Sequence, residues 1–160
     1  MNAQTKFHQM PKQPPHSIEA EQSVLGGLMI DNRAFDDLAD RLTAEDFYRQ
    51  DHQLIYRAIT ALISAGQPCD FVTLTEQLRS QNKLEEAGGL VYLGSLANDT
   101  PGASNVLAYG EIVRERAVLR NLIASGGDIA ELGYRPEGRP HEELIDLAEQ
   151  KIFALRQRNE

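Results

Sequence analysis

The fold is decided at residues 14–27, which read PPHSIEAEQSVLGG and join a polar leader to an amphipathic helix. Pro15 disfavours helix before it, and the Ser17 hydroxyl can cap the amides that a helix start leaves free. Two glutamates in the first turn then lie at the positive end of the helix dipole. Because glycine costs about 1 kcal/mol relative to alanine inside a helix, the pair Gly26 and Gly27 indicates either a helix end or the close approach of another backbone.

Helical spacing of apolar residues continues along the chain, and no stretch shows sustained two-residue alternation. The sequence therefore predicts an all-α fold, in which a compact globular head of several helices is followed by a long antiparallel helical hairpin. Residues 1–16 are predicted to form a disordered extension, residues 17–99 the head and residues 103–158 the hairpin. The predicted helices are 17–30, a short helix carrying Phe35 and Leu38, 51–65, 72–81, a short helix after Gly88-Gly89, 103–132 and 140–158.

The two hairpin helices carry more apolar surface than one helix pair can bury. On the second helix, a coiled-coil-like seam is predicted from the spacing of Ile145, Ala148, Ile152 and Leu155. The first helix has two adjacent apolar stripes, so that either the head folds over the surplus stripe or a partner covers it. Gly126 and Gly127 weaken this helix, and a helix end near Ser125 is the alternative.

Composition and cysteine content place the chain among cytoplasmic globular proteins. The 160 residues are 41% apolar and 25% charged, which is typical of a soluble domain. No run approaches the ~18 apolar residues that a membrane span needs, and the polar leader lacks the apolar core of a secretory signal. The single cysteine, Cys69, excludes an internal disulfide framework and is predicted to be a plain buried or loop residue.

The formal net charge of −8 argues against a domain that grips DNA, because phosphate binding requires a basic surface. The richest basic cluster is Arg114, Arg116 and Arg120. Glu111 and Glu115 alternate with these arginines at helical spacing, which predicts an exposed face linked by ion pairs. The chain is therefore expected to bind proteins rather than DNA.

Sequence motifs for catalysis and metal binding are missing. No glycine is followed by the Gly-Lys-Ser or Gly-Lys-Thr of a phosphate-binding loop, so this segment is predicted neither to hydrolyse ATP nor to translocate. The four histidines are scattered without metal-ligand spacing, and His52 is predicted to cap or pack at a helix start. Adjacent acidic residues such as Glu142 and Glu143 face apart on a helix and are read as solvated.

Several short blocks carry a family resemblance when they are taken in order. They are EDFYR at 45–49, HQLIYRAI at 52–59, PCDFVTLTEQL at 68–78, GGLVYL at 88–93, ASNV at 103–106 and YGEIVRERAVLR at 109–120. Together with residues 14–27, this series resembles the N-terminal domain of the bacterial replicative hexameric DNA helicases, the DnaB family. The resemblance runs from about residue 14 to about residue 158 and does not include an ATPase domain.

The resemblance implies a role in assembly rather than catalysis. In that family the N-terminal domains pair through their hairpins into a collar of three dimers, and the C-terminal helical domain of primase docks on this collar. ATP and magnesium belong to the ATPase domain, so no cofactor, metal or catalytic residue is expected here; a helicase loader is a further possible partner. The expected self-association and partner contacts are Glu19, Tyr92, Tyr109, Ile112, Leu119, Ile123 and Ile129, among which Tyr92 and Ile112 have core packing as their alternative.

Two other functions remain open at this point. The helicase-binding domain of primase has a similar helical architecture, although primase carries it at its end, whereas helix begins here near residue 17. A stand-alone ATP-dependent enzyme is the second alternative, which the missing phosphate loop opposes.

Overall fold

The computed structural model describes residues 12–158, and within this range the chain is helical without a β-strand. This confirms the predicted all-α head and hairpin, and residues 1–11 of the predicted extension lie outside the described residues. Two short 3₁₀ turns, Asn32–Ala34 and Ala44–Asp46, connect the first helices. The helices are α1 (Ile18–Ile30), α2 (Phe35–Leu38), α3 (Gln50–Ser64), α4 (Phe71–Ser80), α5 (Gly89–Asp99), α6 (Val106–Tyr134) and α7 (His141–Arg158).

Helix α1 lies at the centre of the head, where it packs against α3, α5 and α6. Its start follows the predicted capping chemistry, since the Ser17 hydroxyl accepts the backbone N–H of Ala20 at 3.2 Å. Val24, Leu25 and Leu28 are completely buried. The hydrophobic effect of burying these side chains holds the surrounding helices together.

The glycine pair marks a close approach and not a helix end, because α1 continues to Ile30. A Cβ atom on Gly26 would lie 1.7 Å from the Thr100 hydroxyl and 2.4 Å from the Leu96 carbonyl oxygen. A Cβ atom on Gly27 would lie 2.3 Å from a methyl group of Val106. The end of α5 and the start of α6 therefore occupy the space that larger side chains would need.

Helices α3, α4 and α5 complete the head. The helix predicted at 51–65 is confirmed as α3, and its residues Ile55, Ile59 and Leu62 are buried in the core. Asn32 joins the end of α1 to the segment before α4: its side-chain amide donates to the carbonyls of Leu28 and Cys69, both at 2.7 Å. Its side-chain oxygen accepts the Cys69 N–H at 2.9 Å.

Helix α6 belongs to both the head and the hairpin. Its first three turns bury Val106, Gly110, Val113 and Ala117 against the head, whereas its later turns project beyond the head. The alternative that this helix ends near Ser125 is wrong, because α6 runs without interruption to Tyr134. The 29-residue helix therefore connects the head core directly to the hairpin.

The hairpin pairs α6 with α7 in antiparallel fashion, as two contacts show. The Lys151 ammonium lies 3.7 Å from the Asp128 carboxylate, and Ile129 and Leu132 of α6 share an apolar hollow with residues of α7. The α7 residues turned towards α6 are Leu144, Leu147, Ala148, Lys151 and Leu155, each of which is partly buried.

The predicted α7 seam is confirmed at Ala148 and Leu155, which are partly buried, and is wrong at Ile152, which is exposed. Ile145 is mostly exposed but borders the apolar hollow that Ile129 and Leu132 line. Leu144, Leu147 and Lys151 also lie in the inner row, where the Lys151 side chain is partly buried while its charged end reaches Asp128.

None of the helices within residues 12–158 combines the length and the hydropathy that a membrane-spanning segment requires.

The close approach at Gly26 predicts that Gly26→Ala lowers the free energy of unfolding by about 2 kcal/mol, because overpacking outweighs the gain in helix propensity. Gly127→Ala is the matched control, since nothing lies within 4 Å of the Cβ position on Gly127. We expect this control to raise the free energy of unfolding by up to about 1 kcal/mol. Urea denaturation measures both values, and equal effects of the two substitutions would contradict the proposed steric constraint.

Candidate protein-docking surface

The hairpin leaves a set of aliphatic side chains uncovered after α6 has left the head. On α6 these are Leu119, Leu122 and Ile123, of which Ile123 is 60% exposed. On α7 they are Ile145 and Ile152, of which Ile145 is 59% exposed. Large aliphatic side chains are the residues that folding normally buries, so their accumulation on one element indicates an interface.

Helix geometry places these five residues on the same side of the hairpin. At about 100° per residue, Leu122 and Ile123 lie on an arc of α6 that begins beside the seam residue Ile129. Ile145 and Ile152 lie about 60–80° from the seam residue Leu155 on α7. Because the helices are antiparallel, side chains that are displaced from their seams by the same angle in the same sense along each chain lie on the same side of the hairpin. We call this surface, formed by Leu119, Leu122, Ile123, Ile145 and Ile152, the hairpin face.

Ion pairs account for many of the charges on the hairpin. Arg116 contacts Glu115 at 3.2 Å, and Arg135 contacts Glu131 at 2.8 Å. Glu111 reaches back to Arg41 on the head. These exposed pairs contribute little to stability, but they satisfy charges that would otherwise be available to phosphates.

Arg120 departs from the predicted exposed, ion-paired face. Its guanidinium donates to the carbonyl oxygens of Pro15 and Asp46, both at 2.7 Å, and lies 5.4 Å from the centre of the Tyr48 ring. Burial lowers the pKa of Arg120, in opposition to the nearby carboxylates of Glu21 and Asp46. Arg120 therefore contributes to internal structure rather than to a basic surface.

The seven expected contact residues fall in different environments. Leu119 and Ile123 lie one turn apart on the hairpin face. Ile129 is partly buried beside the α6–α7 seam, and Tyr109 and Ile112 are partly buried against the head core. Glu19 and Tyr92 lie on the head, away from the hairpin face. The structure thus brings together two of the seven on one exposed surface.

Glu19 is exposed in the first turn of α1 and lines a shallow polar cleft between α1 and α5. Gln22 and Asp99 also line this cleft. The Gln22 side-chain amide donates at 3.2 Å to the hydroxyl of Tyr92, so the cleft leads to a group of polar side chains inside the head.

Glu21, His52 and Tyr92 form this buried polar cluster, which the sequence analysis did not find. Glu21 is 1% exposed and His52 is completely buried. The Glu21 carboxylate accepts the backbone N–H of Tyr48 at 2.8 Å and lies 2.7 Å from His52 Nδ1. His52 Nε2 lies 2.5 Å from the Tyr92 hydroxyl. The cluster connects α1, α3 and α5 through side chains.

The hydrogen bonds in this cluster have one consistent direction. Because the Glu21 carboxylate only accepts, His52 Nδ1 donates to it, and with a neutral imidazole His52 Nε2 accepts the Tyr92 hydroxyl proton. The Tyr92 oxygen in turn accepts from Gln22. Burial raises the pKa of Tyr92, so the phenol keeps the proton that it donates. The side-chain polar atoms of Glu21, His52 and Tyr92 are thus all hydrogen-bonded, as buried groups require.

The cluster resembles a catalytic relay in composition, but it serves to hold helices together. Glu21 and His52 have almost no solvent access, so no substrate reaches them. The sequence signal that could have found the cluster is the spacing of Glu21 with Val24, Leu25 and Leu28, which is the i, i+3, i+4, i+7 pattern of one helix face. An acidic residue in that pattern must be buried and therefore needs partners.

The remaining side chains with possible catalytic or metal-binding chemistry are the cysteine and the other histidines. Cys69 is buried as predicted, and burial raises the pKa of its thiol to about 12. His16 stacks on Tyr48 with ring centres 4.2 Å apart, and His141 begins α7. Among residues 12–158, no group of three or more His, Cys, Asp or Glu side chains could hold a metal ion; His8 lies outside this range.

The cluster predicts that Tyr92→Phe lowers the free energy of unfolding by about 1–3 kcal/mol, because His52 Nε2 is left without a hydrogen-bond donor. Tyr134→Phe is the control, since Tyr134 is largely exposed at the end of α6. Chemical denaturation should leave this control within about 0.5 kcal/mol of the unsubstituted chain. A Tyr92→Phe chain of unchanged stability would show that the His52 contact contributes nothing.

Comparison with known proteins identifies the family. The family model described as "DnaB-like helicase N terminal domain" matches residues 13–115. The chain is 47% identical over 142 residues to the replicative DNA helicase DnaB of Haemophilus influenzae, covering 89% of this chain and 30% of that protein. It is 44% identical over 145 residues to the replicative DNA helicase DnaB of Geobacillus stearothermophilus, covering 91% of this chain and 32% of that protein. The chain thus spans slightly under a third of these curated relatives.

Solved structures agree with these matches. The crystal structure of the N-terminal domain of DnaB helicase from Mycobacterium tuberculosis superposes with a TM-score of 0.85 at 40% identity, covering 89% of this chain and 99% of that one. A structure described as a DnaB-like replicative helicase and its interactions with primase superposes with a TM-score of 0.70 at 25% identity, covering 87% of this chain and 31% of that one. Since the family model covers more than half of the sequence and the solved domain matches almost from end to end, the chain belongs to the DnaB-like helicase N-terminal domain family.

Proposed function

We propose that this domain assembles and organises a replicative helicase, by pairing with copies of itself through the hairpin and by presenting a docking surface for primase. The observation that carries the proposal is the hairpin face, where five aliphatic side chains of α6 and α7 point to one side without a cover in the single chain. In the assembled helicase the domains would pair as dimers, three of which form a collar on the hexamer.

Self-association follows from the shape and chemistry of the hairpin face. A surface formed by two antiparallel helices can meet the same surface of a second copy across a two-fold axis, which buries both apolar faces at once. The isolated chain is expected to be a monomer or a weak dimer. Tethering to the rest of a hexamer raises the effective concentration of the domains and so promotes the pairing.

Primase is the proposed second partner, and its C-terminal helical domain the proposed docking element. One support is that a solved relative of this fold is described together with its interactions with primase. Leu119 and Ile123 suit an apolar contact, and exposed Glu19 suits a polar contact. Tyr92, Tyr109, Ile112 and Ile129 remain proposed contacts, which would have to act through their partly exposed edges. A helicase loader is a further proposed partner.

We propose that ATP hydrolysis, magnesium binding and DNA unwinding belong to another part of the full-length protein. The 160 residues contain no phosphate-binding loop, and their net charge of −8 opposes tight binding to a phosphate backbone. The helicase relatives also favour this proposal over the helicase-binding domain of primase. The contribution of the domain would then be to set the geometry of the collar and to respond to primase.

Substitution of the hairpin face tests the self-association. Ile123→Asp and Ile145→Asp should each weaken dimerisation or primase binding at least tenfold, because a buried aspartate has no partner in an apolar interface. Sedimentation of the chain, with and without a primase C-terminal domain, measures both associations. Helicity by circular dichroism should stay unchanged, since both side chains are exposed in the single chain.

Val91→Asp is the matched control for this test. Val91 is 89% exposed but lies on α5 of the head, so the same change of chemistry should leave association unaltered. Ile129 is unsuitable, because it is partly buried beside the hairpin seam and its substitution would disturb the hairpin itself. A chain that neither associates nor binds the primase domain would overturn the proposal, as would loss of helicity in the Ile123 variant.

The missing phosphate loop predicts that the 160-residue chain does not bind ATP. Isothermal titration with ATP and magnesium should give no heat beyond dilution. The phosphates of ATP are bound in such a loop by backbone amides and a lysine, and this sequence contains no such loop. Binding in the micromolar range would instead support the alternative of a stand-alone ATP-dependent enzyme.

A further inference from the structure

Several separate segments meet at the 3₁₀ turn Ala44–Asp46, close to the end of α7. Asp46 is the centre of this meeting point, and its side chain is 8% exposed. One of its carboxylate oxygens accepts the backbone N–H of Thr43 at 2.9 Å, which closes a capping box within the turn. The other accepts Arg158 Nη2 at 2.9 Å, and Arg158 is the last described residue of α7. Asp46 thus joins the head directly to the end of the hairpin.

Arg120 supports this meeting point from α6. It donates one hydrogen bond to the backbone carbonyl of Asp46 and another to that of Pro15, so it ties the turn to the segment that precedes α1. Its guanidinium lies over the Tyr48 ring. The Tyr48 ring also stacks on the ring of His16. Arg120 makes these two hydrogen bonds to backbone oxygens, while the nearby carboxylates of Glu21 and Asp46 favour its positive charge.

We propose that Asp46 and Arg158 form a latch that holds the end of α7 against the head, with Arg120 as the positioning residue that fixes the Asp46 turn. The latch makes the direction in which the chain leaves α7 depend on the head. In a relative that continues beyond this domain, it therefore orients the following segment with respect to the head. This inference is independent of the proposed docking, because neither latch residue belongs to the hairpin face.

The two arginines differ in how easily their contacts can be released. The Arg158 side chain is 51% exposed, so its ion pair is open to water and to screening by salt. Arg120 is more buried and binds neutral carbonyls, which salt affects less. The hydrogen bonds of Arg120 on α6 are therefore harder to break than the ion pair of Arg158 on α7.

Hydrogen–deuterium exchange of the 160-residue chain tests the latch. In Arg158→Gln, the amides of the last two turns of α7 should exchange about two- to fivefold faster, which is the change expected for loss of a partly exposed ion pair. Asp46→Asn should give the same acceleration, since asparagine keeps an acceptor for Thr43 but loses the charge. The double variant should exchange no faster than the faster single variant, because both remove the same contact.

The matched control is Arg156→Gln, which removes the same charge from the same helix end. This control should change the exchange of α7 by less than Arg158→Gln does. High salt should accelerate the unsubstituted chain towards the rate of Arg158→Gln, while the amides of α3 stay slow in every variant. Equal effects of the two arginine substitutions, or no salt effect, would overturn the latch.

Sedimentation of the same variants separates this inference from the proposed docking. The Arg158→Gln chain should associate as the unsubstituted chain does, because its hairpin face is intact. If association persists without the difference in exchange, only the latch is wrong. If the difference in exchange persists without association, only the docking proposal is wrong.

Discussion

The burial of α1 is the constraint on which the other contacts depend. Helices α3, α5 and α6 all pack against it, and its completely buried residues Val24, Leu25 and Leu28 supply the apolar surface for them. Gly26 and Gly27 decide how closely α5 and α6 can approach, since any Cβ atom there would overlap with Thr100 or Val106. Glu21 is buried on another face of α1, where its carboxylate contacts the backbone N–H of Tyr48 and the His52 ring, because a buried carboxylate must find its partners inside the protein.

The same packing explains how the head directs the hairpin. Helix α6 enters the core against Gly27, and its first three turns are held there by Val113 and Ala117. Because the helix continues without a break, the position of the hairpin face follows from the position of these buried turns. Neither Gly126 nor Gly127 bends α6 into a helix end, since hydrogen bonding along the helix outweighs a cost of about 1 kcal/mol per glycine. The continuous helix α6 thus connects the head to the α6 part of the hairpin face.

Local chemistry made much of this fold predictable from the sequence. The Ser17 cap and the helix predicted at 51–65 depend on residues close together in the chain, and each appears in the structure. The contacts that were missed join distant residues: Glu21 to His52, and Arg120 to Pro15 and Asp46. No spacing rule links such pairs. Of the expected contact residues, Ile112, Leu119 and Ile123 share one face of α6 by helical period, and Leu119 and Ile123 are exposed because they lie further along the helix than Ile112, which packs against the head core.

The inner row of α7 shows where a sequence pattern reaches its limit. The predicted seam and the observed row share Ala148 and Leu155, but the spacing of apolar residues did not place Leu144, Leu147 and Lys151 towards α6. This outcome has an energetic consequence, because α7 contains no fully buried residue among its 18. A helix of that length is marginal without tertiary contacts. Its order in the single chain thus depends on a half-covered seam and on the contact of Arg158 with Asp46, and burial of Ile145 and Ile152 in an interface would add the stabilisation that the single chain lacks.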